Sequence, residues 1–160
     1  MSSSRPSPDV ASLLGWVSRS TRSGVRSTQQ VAASLRRRGV APEVVAQVVG
    51  ACRRRGLLDD RACARLWADA WARKGYAWAA IRAKLAEKGL DEEAITQAGG
   101  RVGLAATSAD EARARELLQR RIGRRPGPTR AQAARLLAAR GFDADLSERL
   151  LNDSFERLSS

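Results

Sequence analysis

Asp59 and Asp60 are adjacent carboxylates that could do acid–base or metal chemistry in this 160-residue chain. They follow a glycine helix-stop and precede a helical run, where carboxylates accept hydrogen bonds from free backbone amides, so the pair is expected to cap a helix. Catalysis needs more than a pair of acids: a nucleophile beside a base, or a convergent set of metal ligands. The chain has no His, and its two cysteines, Cys52 and Cys63, make no metal-ligand spacing. The expectation is a protein that binds and does not catalyse, with no metal, no cofactor and reduced thiols.

The basic residues are the other chemistry on offer. The net charge is +12, spread as +6 over residues 1–60, +3 over 61–108 and +3 over 109–160, so it is no tail. Such an excess implies a polyanion or an acidic protein as partner. Of the 29 cations, 26 are Arg, which suits bidentate phosphate or carboxylate contacts, although coding rich in G and C gives the same bias. The clusters supply the candidate contact residues Arg36, Arg37, Arg53, Arg54, Arg73, Lys74, Arg120, Arg121, Arg124 and Arg125, with Lys84 and Lys88 beside them. Three of the five clusters are expected at helix C-terminal ends, where dipole complementarity already explains part of the placement. Trp67, Trp71 and Trp78 could stack on bases. Trp67 and Trp71 share a helix face with Cys63 and Ala64, however, and are expected to pack inward.

These residues must be held by helices. Strand-like alternation is absent, and one signal recurs five times: a cation, Gly, then an apolar residue, at Arg38-Gly39-Val40, Arg55-Gly56-Leu57, Lys74-Gly75-Tyr76, Lys88-Gly89-Leu90 and Arg140-Gly141-Phe142. Gly takes the left-handed conformation that ends a helix and the apolar residue folds back on the last turn. Gly39, Gly56, Gly75, Gly89 and Gly141 are therefore read as structural caps, with Asp59 and Asp60. Leu35, Leu85 and Leu137 precede three of these stops by the same interval, which marks an internal repeat.

The predicted architecture is all-α: three tandem three-helix repeats over residues 13–58, 59–106 and 107–160, elongated and curved because each unit meets only its neighbours. Residues 1–12 are expected to be a disordered leader. A poor leading helix is expected near Ser18–Thr28, one helix from Asp60 to Arg73 and another from Asp110 to Ile122, a pliable joint after Gly99-Gly100, and Pro128 at the opening of a helix. No run approaches a membrane span, so a cytoplasmic monomer is expected.

Residues 56–90 carry a family resemblance. Gly56-Leu57-Leu58-Asp59-Asp60, Ala64, Trp67, Lys74-Gly75 and Ile81-x-x-x-Leu85-x-x-Lys88-Gly89-Leu90 resemble, in order and spacing, the central motif of the RecX regulatory family. Ser27 with Leu35-x-x-Arg38-Gly39-Val40 is similar to its first unit. Asp110-Glu111 with Ala114-x-x-Leu117-Leu118 and Arg140-Gly141-Phe142 is similar to its third. The resemblance implies binding to the RecA recombinase and its filaments on single-stranded DNA, with restraint of filament extension, ATP hydrolysis and strand exchange. DNA itself would be met weakly or through the filament. The residues alone leave two alternatives open: a stand-alone basic helical DNA-binding module, and a helical adaptor for an acidic protein.

Overall fold

The computed structural model describes residues 8–101 and 103–157, in which all regular secondary structure is helical. In order come α1 (Val10–Arg22), α2 (Thr28–Arg37), α3 (Pro42–Arg54), α4 (Asp60–Arg73), α5 (Trp78–Glu87), α6 (Glu92–Gly100), α7 (Thr107–Ile122), α8 (Arg130–Ala139) and α9 (Ala144–Glu156). The glycine stops set the segmentation. Gly39, Gly56, Gly75, Gly89 and Gly141 have φ between 69° and 81°. After each, the apolar residue's amide donates back into the last turn, as from Val40 to the Leu35 carbonyl at 3.2 Å and from Phe142 to that of Leu137 at 3.2 Å. That bond occupies a carbonyl which the helix end leaves bare. At the starts, Asp9, Asp59, Asp91 and Asp143 accept from amides of the first turn, and Ser27–Gln30 and Thr129–Gln132 form capping boxes.

Three expectations need correction and one is narrowed. Helix α1 begins at Val10, inside the supposed leader, because Asp9 accepts from the Ser12 amide at 2.7 Å and Leu13, Leu14 and Val17 are buried; residues 1–7 lie outside those described. The break expected within Ser18–Thr28 does occur, at Ser23 and Gly24, but the stretch before it stays helical to Arg22, since the Ser20 and Thr21 hydroxyls donate to the Val17 carbonyl at 2.9 and 3.1 Å and leave the backbone ladder intact. Helix α7 starts at Thr107: the Asp110 amide already donates to the Ala106 carbonyl at 3.2 Å, so a turn precedes Asp110. Pro128 does not open α8, because Thr129 is the capping residue and Pro128 lies before it.

Every closely packed helix pair lies within one of three trios, α1–α3, α4–α6 or α7–α9. Each trio has a core cluster of its own. Val17, Val31, Leu35 and Val48 anchor the first, Ile81, Leu85 and Ile95 the second, and Leu118, Leu137 and Leu150 the third. Burial of each such side chain contributes roughly 1.5–3 kcal/mol.

The trios are joined by their middle helices, end to end. The C-terminal end of α5 abuts the start of α2, where the Ser27 hydroxyl donates to the Lys88 carbonyl at 2.5 Å. The C-terminal end of α8 abuts the start of α5, where the Ala77 amide donates to the Arg140 carbonyl at 2.9 Å. At each joint a carboxylate from the next trio's leading helix caps the same helix start. Asp60 accepts from the Thr28 amide at 2.7 Å and Asp110 from the Trp78 amide at 2.8 Å, both across 32 residues. Gly89 and Gly141 make the approach possible: a Cβ on Gly89 would lie 2.7 Å from the Gln29 Cβ, and one on Gly141 would lie 2.7 Å from the Ala80 Cβ. Gly39, the corresponding residue of α2, faces open space.

Candidate functional site

The carboxylate pair divides its work. Asp59 accepts from the Ala62 amide at 3.0 Å and caps its own helix, while Asp60 reaches across to α2. Among the described residues, no group of three or more His, Cys, Asp and Glu side chains is placed to hold a metal. Both cysteines are buried and free. Burial pushes the Cys63 thiol up to about 11, with Asp60 and then Asp59 adding to the shift, and Cys63 donates to the Arg26 carbonyl at 3.3 Å. Burial also raises the Cys52 thiol, against the opposing charge of Arg55. Protonated, buried thiols are poor nucleophiles.

Four of the basic clusters sit in or at the last turn of a helix: Arg36 and Arg37 on α2, Arg53 and Arg54 on α3, Arg73 with Lys74 on α4, Arg120 and Arg121 on α7. Lys84 is in the last turn of α5 and Lys88 is its C-cap. Arg124 and Arg125 lie in the loop before α8. All are exposed except the half-buried Lys84 and Lys88. Among these twelve, ion pairing to a described carboxylate occurs only at Arg120, which meets Glu116 at 3.2 Å. The structure brings some of them together and separates others. Arg121 and Arg124 line one recess with Pro126 and Pro128. Arg53 instead shares a recess with Asp59, Asp60, Asp91 and Glu93.

Lys84 and Lys88 converge on an aromatic strip. Trp67 and Trp71 are one turn apart on α4, with ring centroids 6.4 Å apart. Lys88 lies 5.6 Å from the Trp67 centroid, and Lys84 lies 5.8 Å from Trp71 and 4.9 Å from Tyr76. From the third trio, Arg140 lies 4.5 Å from the Tyr76 ring, and its guanidinium donates to the Lys74 carbonyl. Trp67, Trp71 and Tyr76 are only partly buried, packed on the rim of the middle core. The expectation of inward packing therefore holds for part of each ring. Trp78 is partly buried on the same core but packs against Gly99, where a Cβ would lie 2.5 Å from its ring, so that glycine makes room for the indole. Tyr76 and Arg140 are absent from the contact residues read from the sequence. The signal that could have found Tyr76 is a hydroxyl-bearing ring where the other stops carry aliphatic residues or Phe.

Residues 59–98 match the family description "RecX, second three-helix domain", which spans the middle trio. The chain is 35% identical over 136 residues to Regulatory protein RecX of Thermobifida fusca, covering 82% of this chain and 72% of that protein. It is 37% identical over 124 residues to Regulatory protein RecX of Xanthomonas axonopodis pv. citri, covering 74% and 73%. The fold agrees with the crystal structure of RecX from Lactobacillus salivarius at a TM-score of 0.72, with 13% identity and coverage of 90% of this chain and 95% of that one. Three helix trios, a matched middle unit and sequence similarity along most of the chain converge on one assignment: this chain belongs to the RecX family of regulatory proteins.

Proposed function

We propose that this protein is a regulator of the RecA recombinase that binds RecA filaments on single-stranded DNA and slows their extension, ATP hydrolysis and strand exchange. It acts by binding alone, as a cytoplasmic monomer, making and breaking no bond. The helix trios, α1–α3, α4–α6 and α7–α9, are the units that lie along the filament groove. The observation that carries the reading is the set of exposed arginines at helix ends, of which only Arg120 meets a carboxylate among the described residues, on a chain that belongs to this regulatory family. Cations without a carboxylate partner among the described residues, within a +12 protein, favour an anionic partner.

The test is ATP hydrolysis by RecA from the same organism on single-stranded DNA, with this protein titrated from far below to equal the RecA concentration. Inhibition well below stoichiometry, retained when DNA is in excess, is expected. Inhibition only when the DNA is saturated would instead mark a stand-alone DNA-binding module, and none at all an adaptor for another partner. Charge reversal at Arg53, Arg54 and Arg73 is expected to weaken inhibition with helix content unchanged; unaltered inhibition would remove these three residues from the contact surface.

A further inference from the structure

We propose that the strip formed by Trp67, Trp71 and Tyr76, with Lys84, Lys88 and Arg140 over the rings, binds single-stranded nucleic acid directly by stacking its bases. The proposal deepens the regulatory reading by naming the surface that meets the strand, and it is tested without RecA. Three observations support it. The rings lie on the rim of the middle core, so each is supported from behind and open in part to solvent. Cationic side-chain heads, and not only aliphatic groups, lie over the rings, at 4.5–5.8 Å from the centroids. None of these three cations has an ion-pairing carboxylate among the described residues.

The ligand class follows from what each part can recognise. A cation over an exposed ring contributes roughly 0.5–1 kcal/mol, so a base can displace it at little cost. A displaced Lys84 or Lys88, on its flexible stem, remains within reach of the neighbouring phosphate. An unpaired base offers a flat π face to any aromatic ring, which makes such stacking tolerant of sequence. A duplex hides its base faces, and an acidic protein would engage the cations without needing the rings. The strip also crosses from the middle trio to the third through Arg140, so a bound strand would span a joint. Trp78, wedged against Gly99, takes no part.

The experiment titrates the full chain with oligo(dT) and with an abasic sugar–phosphate oligomer of equal length, following tryptophan emission and fluorescence anisotropy of the labelled strand. Oligo(dT) is expected to quench the emission and to bind at least about fivefold more tightly than the abasic oligomer, the minimum for one stacked base. Trp67→Leu with Trp71→Leu and Tyr76→Leu is expected to erase that preference while leaving abasic binding unchanged, and the corresponding three Phe substitutions to keep part of it. Lys84→Gln with Lys88→Gln should lower the salt slope for oligo(dT) by roughly 0.7 per lost phosphate contact. Equal affinity for the two strands in the unaltered protein overturns the proposal, as does failure to bind either, and neither result depends on how a variant folds. A preference for bases without RecA inhibition would uphold the strip and remove the filament reading; the reverse would uphold that reading and remove the strip.

Discussion

The two joints between trios perform the same task with different residues. Where α5 meets α2, Ser27 is fully buried and its amide donates to the Gln30 side chain at 3.2 Å within a capping box, so the hydroxyl makes the bond across to Lys88. Where α8 meets α5, Ala77 has no hydroxyl and no box, and its free amide makes the bond across to Arg140. The second joint carries a further load. Asp110 also pairs with the largely buried guanidinium of Arg113, which donates to the Leu104 carbonyl at 2.7 Å. An end-to-end helix joint thus needs one donor for the incoming carbonyl, one carboxylate for the first amide and one residue without a Cβ. Which atom supplies the donor is secondary.

The glycines give the sharpest way to break this comparison. Gly141→Ala is expected to cost about 2–4 kcal/mol, combining a left-handed backbone with displacement of Ala80. Gly39→Ala has the same strained φ but open space around it and should cost about 1–2 kcal/mol. Urea denaturation of the two variants decides, and equal losses would show that close approach at the joint is unimportant. Next in size is Asp110→Ala, at about 2–3 kcal/mol, because it strands both the Trp78 amide and Arg113.

Asp60→Ala removes only the cap on Thr28 and should cost about 1–2 kcal/mol by the same measurement. A larger loss there than at Asp110 would reverse the ranking of the joints. Ser27→Ala belongs in the same range, since it opens the capping box and leaves the Lys88 carbonyl without its donor. The smallest effect is kinetic. Cys63 sits at the first joint, bonded to the Arg26 carbonyl, while Cys52 is in the first core. In the Ser27→Ala variant a thiol reagent is expected to label Cys63 faster and Cys52 at an unchanged rate, whereas Asp110→Ala should leave Cys63 labelling unaltered. Mass-resolved labelling at neutral pH reads both sites.

The glycine stops and the Asp91 cap were legible because the deciding interaction is local. A stop such as Lys88-Gly89-Leu90 closes on its own last turn, and a cap such as Asp91 on the Ala94 amide reaches only three residues along the chain. A misreading arose where a residue's partner was distant. Asp60 was read with Asp59 as a cap at the start of the helix that follows them, yet its carboxylate serves α2.

The candidate surface divides the same way. Composition and spacing determined an all-helical, strongly basic chain with cations gathered at helix ends, because helix ends and net charge follow from neighbours in the chain. Only the tertiary structure decided which cations are brought together. Lys88, Lys84 and Arg140 come from two trios to one row of rings, while Arg53 turns toward a recess lined by carboxylates. That choice rests on how α4 packs on α5 and how α8 abuts α5, contacts between residues far apart in sequence that no local pattern encodes.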